Sequence, residues 1–246
     1  MFNSKVGEAI DIGIRDYMED RCGAFALDAI DVVYIADGHG GSSTVQAIHD
    51  NVREYSKMYY PNLHQLFGML DDCACAIQED KRPLDADDGS TLVIAFVHPD
   101  KIVIAHCGDS KAFVFDDSNG SVIWESKDHD CNNDDEVARI AKHNAIVFNN
   151  RVMGVLTVTR AIGDKELKPY GVVCTPDVAI LPRSPNTTLV LSSDGLWAGQ
   201  TQESFKERLT SVMQSSGGTR SPQEVAASLM LISRKLDNTC VLVQKL

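Results

Sequence analysis

The 246-residue chain carries 35 Asp and Glu against 23 Lys and Arg, a formal net charge of −12. With 43% hydrophobic and 24% charged residues it has the composition of a globular protein, long enough to bury about 70% of its unfolded surface. The acidic excess argues against nucleic acid and anionic membrane surfaces as partners, because both need clustered Lys and Arg, and no apolar run approaches the roughly 18 residues of a membrane span.

Met1 to Glu8 lacks the basic and then apolar pattern of a secretory signal. The seven cysteines, Cys22, Cys73, Cys75, Cys107, Cys131, Cys174 and Cys240, are odd in number and scattered, with no Cys-x-x-Cys pair. Free thiols in a reducing, intracellular compartment are the expectation. The cytoplasm is the expected location, with the nucleus left open.

Asp31 to Ala36 reads as a strand that ends in the turn-rich Asp37-Gly38-His39-Gly40-Gly41. Ser42 then reads as a helix N-cap, followed by Val45, Ile48, Val52 and Tyr55 at helical spacing. A second helix follows Pro61, with Leu63, Leu66, Phe67, Leu70, Ala74 and Ile77 on one face. The acidic run Asp85 to Asp88 reads as a solvated loop. Thr91 to Val97 and Lys101 to Cys107 form an antiparallel hairpin across His98-Pro99-Asp100-Lys101, and Ala112 to Phe115 is another short strand.

Asn133 with Glu136 three residues on predicts a capping box and a helix. Thr188 to Ser193 is a strand running into an Asp-Gly turn. Helix Gln202 to Ser215 buries Phe205, Leu209, Val212 and Met213, and Gly217-Gly218 breaks the chain. Ser221-Pro222-Gln223-Glu224 starts a helix expected to reach about Lys235. Thr239 to Val243 is the last strand. Hairpin-type strands interrupted by helix pairs fit two antiparallel sheets with helices stacked outside, an α+β fold. Nothing marks a domain boundary, so residues 1–246 read as one domain.

Four acidic segments sit where strands end: Arg15-Asp16-Tyr17-Met18-Glu19-Asp20, Asp37-Gly38-His39, Asp194-Gly195-Leu196-Trp197 and Asp237-Asn238-Thr239. Carboxylates at strand ends, beside glycines that permit close approach, suit hard divalent cations. Without a His-x-x-x-His or Cys cluster, zinc is not expected. Taken singly, an Asp-Gly after a strand is only a turn.

Together these segments resemble the metal-dependent protein serine/threonine phosphatases of the PP2C type. The resemblance runs from Gly13-Ile14-Arg15 and Met18-Glu19-Asp20 through Asp37-Gly38-His39-Gly40-Gly41, Gly89-Ser90-Thr91, Cys107-Gly108-Asp109-Ser110, Lys127-Asp128-His129, Thr159-Arg160-Ala161-Ile162-Gly163-Asp164 and Ser193-Asp194-Gly195-Leu196-Trp197 to Asp237-Asn238. It implies a four-layer α-β-β-α sandwich. Asp37 would bridge two Mg²⁺ or Mn²⁺ ions, the Gly38 carbonyl would join one of them, and Asp194 and Asp237 the other. Glu19 and Asp20 would hold metal-bound waters, and Asp128 with Asp194 would form a third, weaker site.

In that arrangement a water shared by two ions becomes the nucleophile and attacks phosphorus in line. Arg15 offers a planar fork to the phosphate, and His39 serves as general acid to the Ser or Thr leaving oxygen. The implied partners are phosphorylated proteins, and nothing demands a dimer. The alternative of another class is a silent PP2C-like scaffold, against which Asp37, Asp194 and Asp237 all stand.

Other motif residues have plainer expectations. Asp109 and Asp164 are expected to brace turns. His106 and His129 are expected to pack or face solvent, and Gly89-Ser90-Thr91 to let a strand pass close to another element. Lys111, where the family commonly has Arg, reads as a surface change. Ala198, where the family commonly has Asp, predicts a weaker third metal site. A trimmed flap over residues 165–176 implies an open cleft with loose substrate selection. No appended targeting or regulatory domain is expected.

Overall fold

The computed structural model describes residues 5–78, 88–216 and 219–246. Residues 85–87 of the acidic run and Gly217-Gly218 therefore lie outside the described residues. Two antiparallel sheets stack face to face. In the first, β1 (Val6–Asp11) pairs with β14 (Thr239–Lys245), then β13 (Thr187–Ser192), β7 (Lys111–Asp116) and β8 (Val122–Glu125). In the second, β3 (Ile30–His39) pairs with β2 (Asp20–Leu27), β4 (Gly89–Ser90) and β5 (Leu92–Val97), and β6 (Lys101–Cys107) joins β5 to β12 (Asp177–Pro182). β11 (Ile162–Gly163) extends it beyond β4.

Strand alternation builds three apolar layers. On β3, Val33 and Ile35 point inward and meet Val114, Leu189, Leu191 and Leu242 of the first sheet. Val32, Tyr34 and Ala36 point outward under α1 (Ser43–Tyr59) and α2 (Leu63–Gln78), which contribute Val45, Ile48, Leu66 and Phe67. On the other side α4 (Gln202–Ser216) and α5 (Pro222–Met230) place Phe205, Leu209, Val225 and Leu229 on Phe113, Phe115, Val190 and Val241. This is the four-layer α-β-β-α order. A smaller side unit holds α3 (Asp134–Ala141), the hairpin of β9 (Val147–Phe148) and β10 (Arg151–Val152), and the 3₁₀ turn Lys165–Tyr170. Ile140, Val152, Leu156, Leu167 and Val172 form its own core. Residues 165–170 thus form one wall of a larger unit.

Several local expectations are corrected. Ser42 makes no side-chain cap. Asp88 caps α1 instead, accepting from Ser43 N–H at 2.9 Å and Thr44 N–H at 3.2 Å, and it bonds the Thr44 hydroxyl as well. A buried carboxylate at a positive helix end is favourable, so Asp88 is an inward cap and not a solvated residue. Asn133 caps α3 through Asp135 N–H, but Glu136 does not close a capping box. Its carboxylate turns inward to Arg139, Arg160 and Thr159. The Ser221 capping box forms as read, while α5 ends at Met230, short of Lys235. β1, β2, β8 and β12 are additions. All seven cysteines are free.

Candidate active site

The carboxylates gather where the two sheets meet at one end. Asp20 opens β2 and lies directly opposite Asp37 on β3. Asp194 follows β13, and its N–H faces Asp37 Oδ2 at 3.5 Å. Asp237 precedes β14. Asn238 ties the segments together, its Oδ1 accepting from Glu19 N–H at 2.6 Å and its Nδ2 donating to the Ile12 carbonyl at 2.9 Å. Ser193 hydroxyl donates to Asp20 Oδ2 at 2.7 Å.

Like charges set opposite each other across strands destabilise, and burial adds to the cost. Burial, then the charges of Asp194 and Asp237, pushes Asp20 up to about 7. Burial, then Asp237, pushes Asp194 up to about 6. Burial and then Asp20 and Asp194 hold Asp37 well above the carboxylate range. Among the described residues no Lys or Arg forms an ion pair with any of these three, and Asp20 Oδ1 is buried without a hydrogen-bond partner.

Asp109 belongs to this cluster. Burial, then Asp194 and Asp128, raises its pKa well above the ordinary value. Like the other acids of the centre it follows a strand, here β6.

The remaining predicted site residues surround this centre. Arg15 is half-exposed and donates to Asp237 Oδ2 at 2.6 Å. Glu19 is buried and accepts from Gly41 N–H at 2.9 Å. Gly38 is buried on β3, donating its N–H to the Glu19 carbonyl at 3.2 Å. Asp128 stands further out, paired with Lys111 at 2.9 Å and with one buried oxygen unpartnered. Lys111 is therefore no surface residue. It is 13% exposed and sits 5.6 Å above the Trp197 ring. Together with Trp197 and Lys206 they line a cleft of about 610 Å³ beside the acids.

His39 Nε2 lies 2.8 Å from Asp164 Oδ2. Burial opposes the imidazolium, but the Asp164 carboxylate, with Asp109 and Glu19, outweighs it and raises the His39 pKa. Asp164 is thus the partner of His39, not a turn brace alone. Gly89 lies over this pair, and a Cβ there would collide with both side chains, so the close approach expected of Gly89-Ser90-Thr91 is present.

Oxygen donors, buried and short of cations, suit Mg²⁺ or Mn²⁺. A second group of candidate ligands, His106, His129 and Asp177, is arranged against a cation. The two rings stack in parallel, 4.6 Å apart and 6° from coplanar, so their in-plane lone pairs do not converge. His106 Nε2 donates to the Lys127 carbonyl, His129 Nδ1 accepts from Gly108 N–H, and Arg160 already holds Asp177. Burial first keeps His129 neutral, its pKa pushed down to about 4. The pair packs, as expected from the sequence.

The antiparallel double sandwich thus carries an acid centre of oxygen donors, with the Arg15 guanidinium and the ion-paired His39 beside it. The family model for Protein phosphatase 2C matches residues 13–241, and the chain belongs to that family of protein serine/threonine phosphatases. "Probable protein phosphatase 2C 24" of Arabidopsis thaliana is 44% identical over 129 residues, 51% of this chain and 34% of that protein. "Protein phosphatase 2C 3" of the same plant is 34% identical over 196 residues, 69% of this chain and 43% of that protein. The matches thus span less than half the length of these relatives. A phosphatase structure from a pathogenic strain of Toxoplasma gondii superposes with a TM-score of 0.80 at 22% identity, covering 97% of this chain and 91% of that one. A Caenorhabditis elegans sex determining protein superposes at 0.77 and 20% identity, covering 97% and 64%. At such identity these two likenesses show the fold.

Proposed function

We propose that this chain hydrolyses phosphoserine and phosphothreonine in proteins with the help of Mg²⁺ or Mn²⁺. The observation that carries the reading is the set of uncompensated carboxylates at the buried Asp20 and the half-buried Asp37 and Asp194, within a chain of this family. Asp37, Asp194 and Asp237, with the Gly38 carbonyl, would hold the ions. Glu19 and Asp20 would accept hydrogen bonds from their waters, and Asp128 with Asp194 would serve a weaker third site. When bound, the ions offset carboxylate repulsion and supply a water of lowered pKa as nucleophile.

The chain's own groups do the rest. Arg15 swings its fork from Asp237 to the phosphate and holds two oxygens. His39, whose protonated form Asp164 favours, gives its proton to the departing Ser or Thr oxygen. Asn238 and Ser193 fix the acid-bearing loops. The cytoplasm is the proposed location, and a monomer the proposed state.

Phosphopeptide hydrolysis should appear with millimolar Mn²⁺ and vanish in EDTA. Full turnover in chelator, or none with Mn²⁺, rejects the reading; absence of paired Mn²⁺ binding by calorimetry would point to the silent scaffold instead.

A further inference from the structure

Segment 12–15 lies along segment 235–238, and backbone groups do most of the fastening. Ile14 N–H donates to the Lys235 carbonyl at 3.0 Å, and the Ile12 carbonyl accepts from Asn238 Nδ2 at 2.9 Å. Gly13 adopts φ +64°, and a Cβ there would stand 2.5 Å from the Asp237 carbonyl oxygen, so the approach needs glycine. Arg15 closes the contact on Asp237 at 2.6 Å, and Lys235 pairs with Asp11 at 2.8 Å.

The side chains left outward around Arg15 are apolar. Ile14, immediately before it, is 74% exposed, and Tyr17, two residues after it, 59%. Ile12 and Leu236 are exposed as well. Ile14 N–H bonds the peptide unit that leads into Leu236, so these two residues are neighbours across the contact. Leu236 lies over Gly199, where a Cβ would meet its Cδ1 at 2.5 Å. None of the four belongs to an apolar core of the described residues. The fold therefore does not use these side chains, and water disfavours them. A lone exposed apolar side chain is ordinary, but a group gathered around one functional residue marks an interaction surface.

The surroundings favour one occupant. Four side chains fall far short of the roughly 20–30 residues a side of a stable protein interface. A chain of net charge −12 repels a second copy of itself and an anionic membrane. Arg15 stands within the group, and it is the side chain proposed above to hold the phosphate. An extended peptide advances about 3.3 Å per residue, so one whose phosphate reaches Arg15 lays its nearest residues on these side chains. Asp16 stands between Arg15 and Tyr17, and Lys235 is held by Asp11, so an acidic neighbour is disfavoured there.

We propose that Ile12, Ile14, Tyr17 and Leu236 form an apolar rim that seats a large aliphatic or aromatic side chain one or two residues from the phosphoserine or phosphothreonine of the substrate, a specificity that rests on the phosphatase reading above. The rim acts through binding of a part of the substrate remote from phosphorus, so it shows in kcat/KM.

The test uses two phosphopeptides with Mn²⁺. One carries leucine at the two positions on each side of phosphoserine, the other the similarly shaped asparagine. The wild-type chain should favour the leucine peptide in kcat/KM by about tenfold, the scale of discrimination by an apolar contact. Ile14→Ser and Leu236→Ser should each reduce that preference and the double variant should abolish it, with the rate on the asparagine peptide kept. Equal rates on the two peptides in the wild-type chain, or a preference that survives in the double variant, overturn the rim. So does a wild-type chain that sediments as a dimer while Ile14→Ser sediments as a monomer, which would assign the surface to a second copy. Pelleting of wild type but not of Ile14→Ser with phosphatidylcholine vesicles would assign it to a membrane and overturn the rim likewise. Hydrolysis of neither peptide refutes the phosphatase reading, and fluorescence anisotropy of the labelled peptides then decides the rim separately. Tighter binding of the leucine peptide that is lost in the double variant leaves the rim standing; equal binding overturns it.

Discussion

Two buried charge clusters in this molecule have opposite balance. Around Glu136, one carboxylate meets two guanidiniums and a hydroxyl, with Arg160 at 2.7 Å, Arg139 at 2.7 Å and the Thr159 hydroxyl at 2.7 Å. Burial opposes the charge, but these donors overcome it and hold Glu136 far below the carboxylate range. At the sheet ends, Asp20, Asp37, Asp109 and Asp194 crowd together with no paired cation among the described residues, and all four are raised. The first arrangement fastens α3 to the segment carrying Thr159 and Arg160. The second costs stability, and it is the cluster proposed above to hold cations.

The largest effects should separate the two clusters by activity. Asp37→Asn is expected to cut phosphopeptide turnover by about three orders of magnitude or more, the scale of losing one central electrostatic group. In EDTA the same variant should be more stable than the wild-type chain. A carboxyl whose folded pKa lies above its unfolded value binds its proton more tightly when folded. The fold then loses stability as pH rises through that window, from 3.8 to about 6 for Asp194 and to about 7 for Asp20. Removing a charge at pH 8 relieves this, with about 2–4 °C in Tm for each kcal/mol. Mn²⁺ should raise the wild-type Tm more at pH 8 than at pH 6. A variant less stable than wild type in EDTA would show that the acid centre is structural.

Glu136→Gln should do the reverse. Two half-buried guanidiniums lose a shared counter-charge, Arg160 keeping only Asp177, a change on the order of 3 kcal/mol, read by denaturant unfolding. The wild-type contribution is present above the unfolded pKa near 4.5 and lost as pH falls toward the lowered folded value, so wild type and variant should converge in acid. An unchanged midpoint at pH 7 would remove the contrast.

The fold was legible where period and burial coincide. Val32 to Ala36 alternates between the helix layer and the sheet layer, and β5 with β6 reads as a hairpin from the tight His98-Pro99-Asp100-Lys101 connection. β2 escaped notice because Gly23, Ala24 and Ala26 give too little side chain to show a period. Its importance lies in register, which sets Asp20 against Asp37. The acid segments were legible as a set, since each ends or begins a strand. Their electrostatic partners were not: Asp164 lies 125 positions from His39, and Asp88 lies 45 from the helix start it caps. The inward turn of Glu136 depends on where Arg160 falls in space, which capping periodicity does not contain.

The smallest predicted effect tests whether one balanced pair works inside the unbalanced centre. His39 and Asp164 resemble Glu136 with its arginines more than they resemble the neighbouring acids, since each charge has its partner. Asp164 adopts φ 49°, a left-handed conformation that Asn tolerates, so Asp164→Asn keeps the backbone and removes only the charge. A general acid is active below its pKa, so turnover should fall along an alkaline limb set by His39. Without the carboxylate that offsets burial, the His39 pKa drops, and that limb should move to lower pH while turnover on its acid side changes little. The measurement is a kcat profile with Mn²⁺ in excess, on a phosphopeptide and on an aryl phosphate whose leaving group needs no proton. The shift should appear with the peptide and fade with the aryl ester; an equal shift with both substrates would mean that Asp164 acts on the metal-binding acids and not through His39.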